Sequence, residues 1–193
     1  MNRRALIIGA IVAAAALLAW VLFVALPRRY GPRATSPVTA TAPAAPAAPA
    51  AGGRKIKARL FYVAEDGVHL MSVEREITYG EGTLEQAREI VAAQVAPVTD
   101  PLVSAIPPGT TVRALFITEG GEAFVDLSPD VMTHHSGGTN DEMLTVYTLV
   151  NALTENLPAV TAVQLLVDGK EVDSLTGHVD LRTPLAKNLT WVQ

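Results

Sequence analysis

Residues 139–169 read TNDEMLTVYTLVNALTENLPAVTAVQLLVDG. Thr139-Asn140-Asp141-Glu142 has the form of a capping box, in which a Thr hydroxyl and an acidic side chain three residues on satisfy the free N–H groups of a helix start. Met143, Tyr147, Val150, Leu153 and Leu157 follow at helical spacing and form an apolar stripe. Pro158, which lacks an N–H, ends the helix. Val160 to Val167 is then a short apolar run rich in branched residues, closed by Asp168-Gly169, a dipeptide that tolerates the positive φ of a tight hairpin turn. Helix, strand and tight turn in direct succession predict helices layered on a sheet.

Working outward, the same grammar recurs twice upstream. Val112 to Thr118 and Glu122 to Leu127 read as strands around Gly120-Gly121. They follow Pro107-Pro108-Gly109-Thr110, which suits a type II turn. Further back, Ala58 to Val63 and Val68 to Ile77 flank Asp66-Gly67, a second hairpin signal. Thr83-Leu84-Glu85-Gln86 has capping-box form, Leu84, Ala87, Val91 and Val95 share one helix face, and Pro97 stops that helix. Downstream, Glu171 to Leu175 completes a third hairpin and His178 to Leu181 reads as a last short strand. Thr183-Pro184 and the tail to Gln193 are expected to wrap the sheet edge, with Trp191 as an apolar plug. The sum is an α+β two-layer sandwich: a mixed β-sheet built from hairpins, with two helices packed on one face. The repetition is too short and too divergent for a solenoid.

The N-terminal quarter is different in kind. After a leader of residues 1–4, residues 5–26 form an uncharged, almost wholly apolar run. At about 1.5 Å per residue this run reaches roughly 33 Å as a helix, against a hydrocarbon core of about 30 Å. It ends in Leu26-Pro27-Arg28-Arg29, which is no small-x-small cleavage site, so a retained transmembrane anchor is expected, separate from the globular fold. Arg3 and Arg4 precede it while Arg28, Arg29 and Arg33 follow, so the positive-inside rule leaves orientation open. A short leader followed by a stalk and one domain is the layout of a signal anchor at the cell membrane, single-pass, with its C-terminal domain outside the cytoplasm. Residues 27–53 are dominated by Pro, Ala, Thr and Gly and are expected to form a stalk that favours polyproline II. Residues 57–193 are long enough for one domain with its own core.

Composition narrows the chemistry. The chain has 193 residues, no cysteine and a formal net charge of −4, with no basic excess to suit nucleic acid. His134-His135 lies in a Gly/Ser loop ahead of Asp141 and Glu142, without the i, i+4 facing of a metal-binding helix. Ser128 follows Asp126 but stands in no nucleophile elbow. Glu65 with Asp66, and Asp168 with Glu171, sit at turn tips, whereas glycosidic acid–base work needs two carboxylates facing each other across a cleft. Gly120-Gly121 and Gly137-Gly138 form no phosphate cradle. No catalytic, cofactor-binding or metal-binding residue is therefore expected, no cofactor is implied, and the binding residues are left unknown.

Leu60-Phe61-Tyr62-Val63 with its hairpin, Leu102-Val103-Ser104-Ala105-Ile106-Pro107-Pro108-Gly109-Thr110, Ala123-Phe124-Val125-Asp126-Leu127-Ser128, Val163-Gln164-Leu165-Leu166-Val167-Asp168-Gly169-Lys170, and Gly177-His178-Val179-Asp180-Leu181 with Pro184-Leu185 occur in an order and spacing that resembles the GerMN (germane) domain of spore-formation and germination proteins. The resemblance spans nearly all of residues 57–193. It implies an extracytoplasmic bacterial envelope domain, lipid-attached in some relatives, with no established catalytic centre. The expectation is a non-catalytic scaffold or adaptor binding an envelope protein partner or peptidoglycan, held to the membrane by its N-terminal helix. The alternative is an enzyme or accessory acting on the cell wall.

Overall fold

The computed structural model describes residues 53–193, together with Trp20. Its elements are β1 (Lys55–Val63), β2 (Leu70–Thr78), α1 (Gly82–Val95), β3 (Val112–Ile117), β4 (Glu122–Leu127), α2 (Asp130–Thr133), α3 (Thr139–Asn156), β5 (Ala162–Val167), β6 (Lys170–Glu171) and β7 (Leu185–Ala186). No helix among the described residues is long and apolar enough to cross a membrane. The expected anchor at 5–26 and stalk at 27–53 lie outside the described residues, apart from Trp20 and Gly53.

The α+β class and the mixed sheet are as expected, but the strands form two sheets rather than one. β1 and β2 make a separate antiparallel pair, while β3-β4-β5-β6 form the second sheet, with β7 also pairing with β5. Periodicity identifies a strand but not its neighbour, and β1 turns its outer edge to helix side chains instead of to another strand. β4 and β5 run parallel, joined through α2 and α3. Such a pairing needs a long crossover, and the helix supplies it.

The parallel register places Ala123 beside Val163, Val125 beside Leu165, and Leu127 beside Val167, with Leu115 opposite Val125. All seven are buried, and the two-residue period puts them on one face. α1 and α3 touch each other and both sheets, bringing Ile90, Val91, Leu149 and Leu153 into the same core. Each fully buried aliphatic of this kind contributes about 1.5–3 kcal/mol. α3 is buried over more than the expected stripe, with Leu144, Val146 and Leu149 inside and Met143 and Tyr147 only partly so, because its neighbours lie on several sides.

Both capping boxes fail. α1 begins at Gly82, so Thr83 lies within the helix, and no side chain caps Glu81. Gln86 instead accepts from the Gly80 N–H at 3.0 Å and reaches the Thr78 carbonyl, tying the helix to the end of β2. α3 begins at Thr139 behind Gly138 at φ 88°, again without a side-chain cap, and Glu142 is employed elsewhere. The turns fare better. Asp168 and Gly169 have φ 53° and 74°, the paired positive values of a type I′ hairpin turn. Gly109 has φ 84° and Thr110 N–H donates to Pro107 O, as a type II turn requires. The third hairpin is short, ending at Glu171, and residues 178–181 form no strand; Leu185–Ala186 pairs with β5 in their place. The tail does reach a sheet edge, where Leu70 N–H donates to Trp191 O and Gln193 N–H to Leu70 O. Trp191 itself is half-buried and not a sealed plug.

Candidate functional site

Sheet edges expose unpaired backbone groups, so how each edge is treated indicates where a partner can add. On β1 the outer edge is closed at three alternate residues. Asn156 Oδ1 accepts from Arg59 N–H at 2.8 Å while its amide donates to Arg59 O at 2.7 Å. Gln94, fully buried, does the same for Phe61, at 2.9 and 2.7 Å. Val63 N–H donates to Val103 O at 2.8 Å. A side-chain amide offers one acceptor and one donor at peptide-like spacing, so α1 and α3 each supply one unit of a surrogate strand. The β2 edge is treated otherwise: the tail covers Leu70, and Glu74, Arg75 and Glu76 keep the rest charged and exposed.

β3 has neither treatment. It is the outer strand of its sheet, and its backbone bonds among the described residues run to β4 and its flanks. Five consecutive residues, Val112 to Phe116, line one trough of about 330 Å³ together with Arg88 and Ala92 of α1. The register is irregular between Val112 and Ala114, but beyond it buried Leu115 and exposed Phe116 lie on opposite faces and both border the trough, which places it along the outer backbone edge. Phe116 stands 59% exposed at this strand. Next along the chain, up to Thr111, lies a larger groove of about 570 Å³, walled by residues 95–98, 102–104 and 106–111 and largely apolar, with Val103 55% exposed.

The groove's walls are pinned from behind. Ser128 Oγ accepts from Thr111 N–H at 3.0 Å and donates to Asp130 Oδ2 at 2.8 Å. His134 Nδ1 lies 3.1 Å from Pro108 O and 3.3 Å from Asp130 Oδ1. The carboxylate thus stands between hydroxyl and imidazole, whereas a base that takes a serine proton must touch the serine directly. His135 Nδ1 accepts from Gly137 N–H, which leaves Nε2–H to donate to Thr145 Oγ1 at 3.1 Å, and Thr145 in turn bonds Ala105 O at 2.6 Å. The two loop histidines are therefore braces of the groove, His135 half-buried and His134 exposed.

The other acidic residues serve turns. Asp66 accepts from Val68 N–H and His69 N–H and meets the His69 ring at 2.7 Å, and these bonds lower its pKa to about 2. Asp126 Oδ1 accepts from Gly169 N–H at 2.8 Å, and Arg113 bridges Asp126 to Asp168. Glu65 and Glu171 are exposed, and Asp141 accepts from Ser136. Among the described residues no three His, Cys, Asp or Glu side chains converge as a metal site would require.

Glu142 departs furthest from expectation. Its side chain is fully buried and accepts from Leu175 N–H at 2.8 Å, Thr176 Oγ1 at 2.7 Å and His178 N–H at 2.9 Å. Burial by itself would raise its pKa; the Thr176 hydroxyl and the backbone N–H groups of residues 175, 176 and 178 more than offset this and hold it at about 2. The His178 ring follows at 3.1 Å through Nδ1. One carboxylate thus gathers the 175–178 turn. Sequence offered a signal only in retrospect: Gln94, Glu142, Asn151 and Asn156 are polar residues set among the apolar positions of the two helices, and each binds backbone of a distant segment.

Residues 59–173 match the family model Germane, described as sporulation and spore germination. No curated protein sequence matches the chain. Among solved structures, a protein of Clostridium perfringens assigned as a lipoprotein is similar at 21% identity and TM-score 0.50, over 69% of this chain and 88% of that one. The tandem GerMN domains of the sporulation protein GerM from Bacillus subtilis are similar at 18% identity and TM-score 0.51, over 70% of this chain and 46% of that one. The chain thus aligns with less than half of the tandem structure. These likenesses show the shared fold, and the family match covers well over half of the sequence; the chain belongs to the Germane (GerMN) family.

Proposed function

We propose that the chain is a membrane-held, extracytoplasmic docking module of the bacterial envelope, non-catalytic, which receives an extended segment of an envelope protein along β3. The observation that carries this reading is the trough in which five consecutive β3 residues border open space. An added strand would satisfy the outer backbone groups of β3 and place alternate apolar side chains against Phe116 and the adjoining groove, the usual economy of strand addition. The apolar run at 5–26 and the Pro/Ala stretch at 27–53 support tethering, which raises the effective concentration of such a module to about the millimolar range near membrane-bound partners.

The test is a photo-reactive aromatic residue placed at position 116 of the full chain in its native membranes, with the same residue at Glu76 of β2 as reference. One discrete adduct at 116 and none at 76, its protein then slowing amide exchange in β3 when purified and added, supports the reading. Adducts of equal yield at both positions, or none at 116, overturn it.

A further inference from the structure

Behind the 175–178 turn the structure holds a group that its folding role does not use up. Ionised Glu142 has no proton to give, so every contact with it must be donated by the other party. The His178 Nδ1 at 3.1 Å from Glu142 Oε2 is therefore N–H. In the neutral ring this fixes the tautomer and leaves the lone pair on Nε2, at the opposite side of the imidazole from Glu142. No described residue bonds Nε2, and the exposed ring lines a depression of about 300 Å³ with Asp173, Ser174, Asp180 and Arg182.

The chemistry of that lining selects a ligand class. Arg182 is engaged by Asp180 through Nε at 2.9 Å and Nη2 at 2.6 Å, leaving Nη1 unbonded. Asp173 has no side-chain partner among the described residues, so the depression presents two acceptors, Nε2 and the Asp173 carboxylate, beside one guanidinium donor and the Ser174 hydroxyl. Two carboxylates repel an anion, and the guanidinium next to them disfavours a cation. Val179, the one branched aliphatic in the lining, is itself buried, and no Phe, Tyr or Trp is present, so an apolar ligand gains little. Hydroxyl groups, which donate and accept at close spacing, match this set.

We propose that His178, with Asp173 and Arg182, forms a binding subsite for a neutral, hydroxyl-rich ligand, that is, a saccharide unit, with His178 Nε2 accepting from a sugar hydroxyl. Glu142 acts as a positioning residue that fixes the imidazole tautomer. The subsite shares no lining residue with the β3 trough, so the two readings stand or fall separately.

The test is a titration of the full chain with chitotetraose, read from the imidazole nitrogen signals of its four histidines. The expected result is a saturable shift confined to His178 at millimolar sugar. His178→Asn retains an N–H donor towards Glu142 but removes the Nε2 acceptor, and should weaken binding at least tenfold with the fold intact; Asp173→Asn should weaken it less, and His134→Ala not at all. No saturation up to tens of millimolar, or equal affinity in His178→Asn, overturns the proposal. Tight binding of an amine such as cadaverine in place of the sugar also overturns it.

Discussion

β1 and β3 are both outer strands of their sheets, and they end in opposite ways. The outer edge of β1 is sealed residue by residue, with Asn156 on Arg59, Gln94 on Phe61 and the Val103 carbonyl on Val63. The edge of β3 borders an open trough with Phe116 beside it. Sealing β1 places a buried amide in α1 and a second amide at the end of α3, each satisfied by the backbone it closes. An edge closed in this way is protected from pairing with other chains, whereas an open one leaves room for the strand addition proposed above.

The largest expected effects lie on the sealed side. Gln94→Ala strands the Phe61 N–H and C=O in the core, and two unpaired buried backbone groups together cost about 2–6 kcal/mol. Leu153→Ala, which empties a fully buried site next to the same hairpin, should cost about 2–5 kcal/mol. Chemical denaturation measures both, and a Gln94→Ala loss below that of a surface substitution would mean that β1 is not sealed by this amide. Asn156→Ala, at a more exposed position, should cost about 1–3 kcal/mol.

Acid tests the buried Glu142 contact separately from the amides that seal β1. The Glu142 pKa is lowered from 4.5 to about 2 in the folded chain. The unfolded state therefore binds the proton more readily, and the stability Glu142 contributes is complete above about pH 5 and lost as pH falls towards 2. Glu142→Gln should make the stability profile less steep over that window, leaving the slope contributed by Asp66, Glu155 and Asp180, while Gln94→Ala leaves its shape unchanged. A profile of equal slope in Glu142→Gln would contradict the buried carboxylate's role. At the loop pair, His135→Ala removes one of the partners of Thr145 and should cost about 1 kcal/mol, whereas exposed His134→Ala should cost less. Smallest of all, Phe116→Asp should change stability by about 0.5 kcal/mol or less, as exposed substitutions do, while abolishing the photo-adduct of a probe at Val112.

How far the sequence disclosed this contrast depends on the kind of signal. Hairpins and turns were legible because Asp168-Gly169 and Pro108-Gly109 carry φ values that only certain residues accept. The two long helices were legible from their apolar stripes. The division into two sheets was not, because a strand's period says nothing about its neighbour, and the neighbour of β1 is a pair of amides more than thirty residues away in the chain. Glu142 looked like a helix cap by its spacing from Thr139, yet its carboxylate points to residues 175–178, a choice decided by tertiary contact. The trough along β3 required five residues to be seen on one edge, which no local pattern encodes.

Native-state hydrogen exchange on the full chain compares the two edges most directly. The expected result is that the amides of Arg59, Phe61 and Val63 exchange only with global unfolding, while the outward-facing amides of β3 exchange orders of magnitude faster until a strand-forming partner is added. Equal, global-level protection of the β3 edge in the isolated protein would contradict the open edge on which the proposed docking rests.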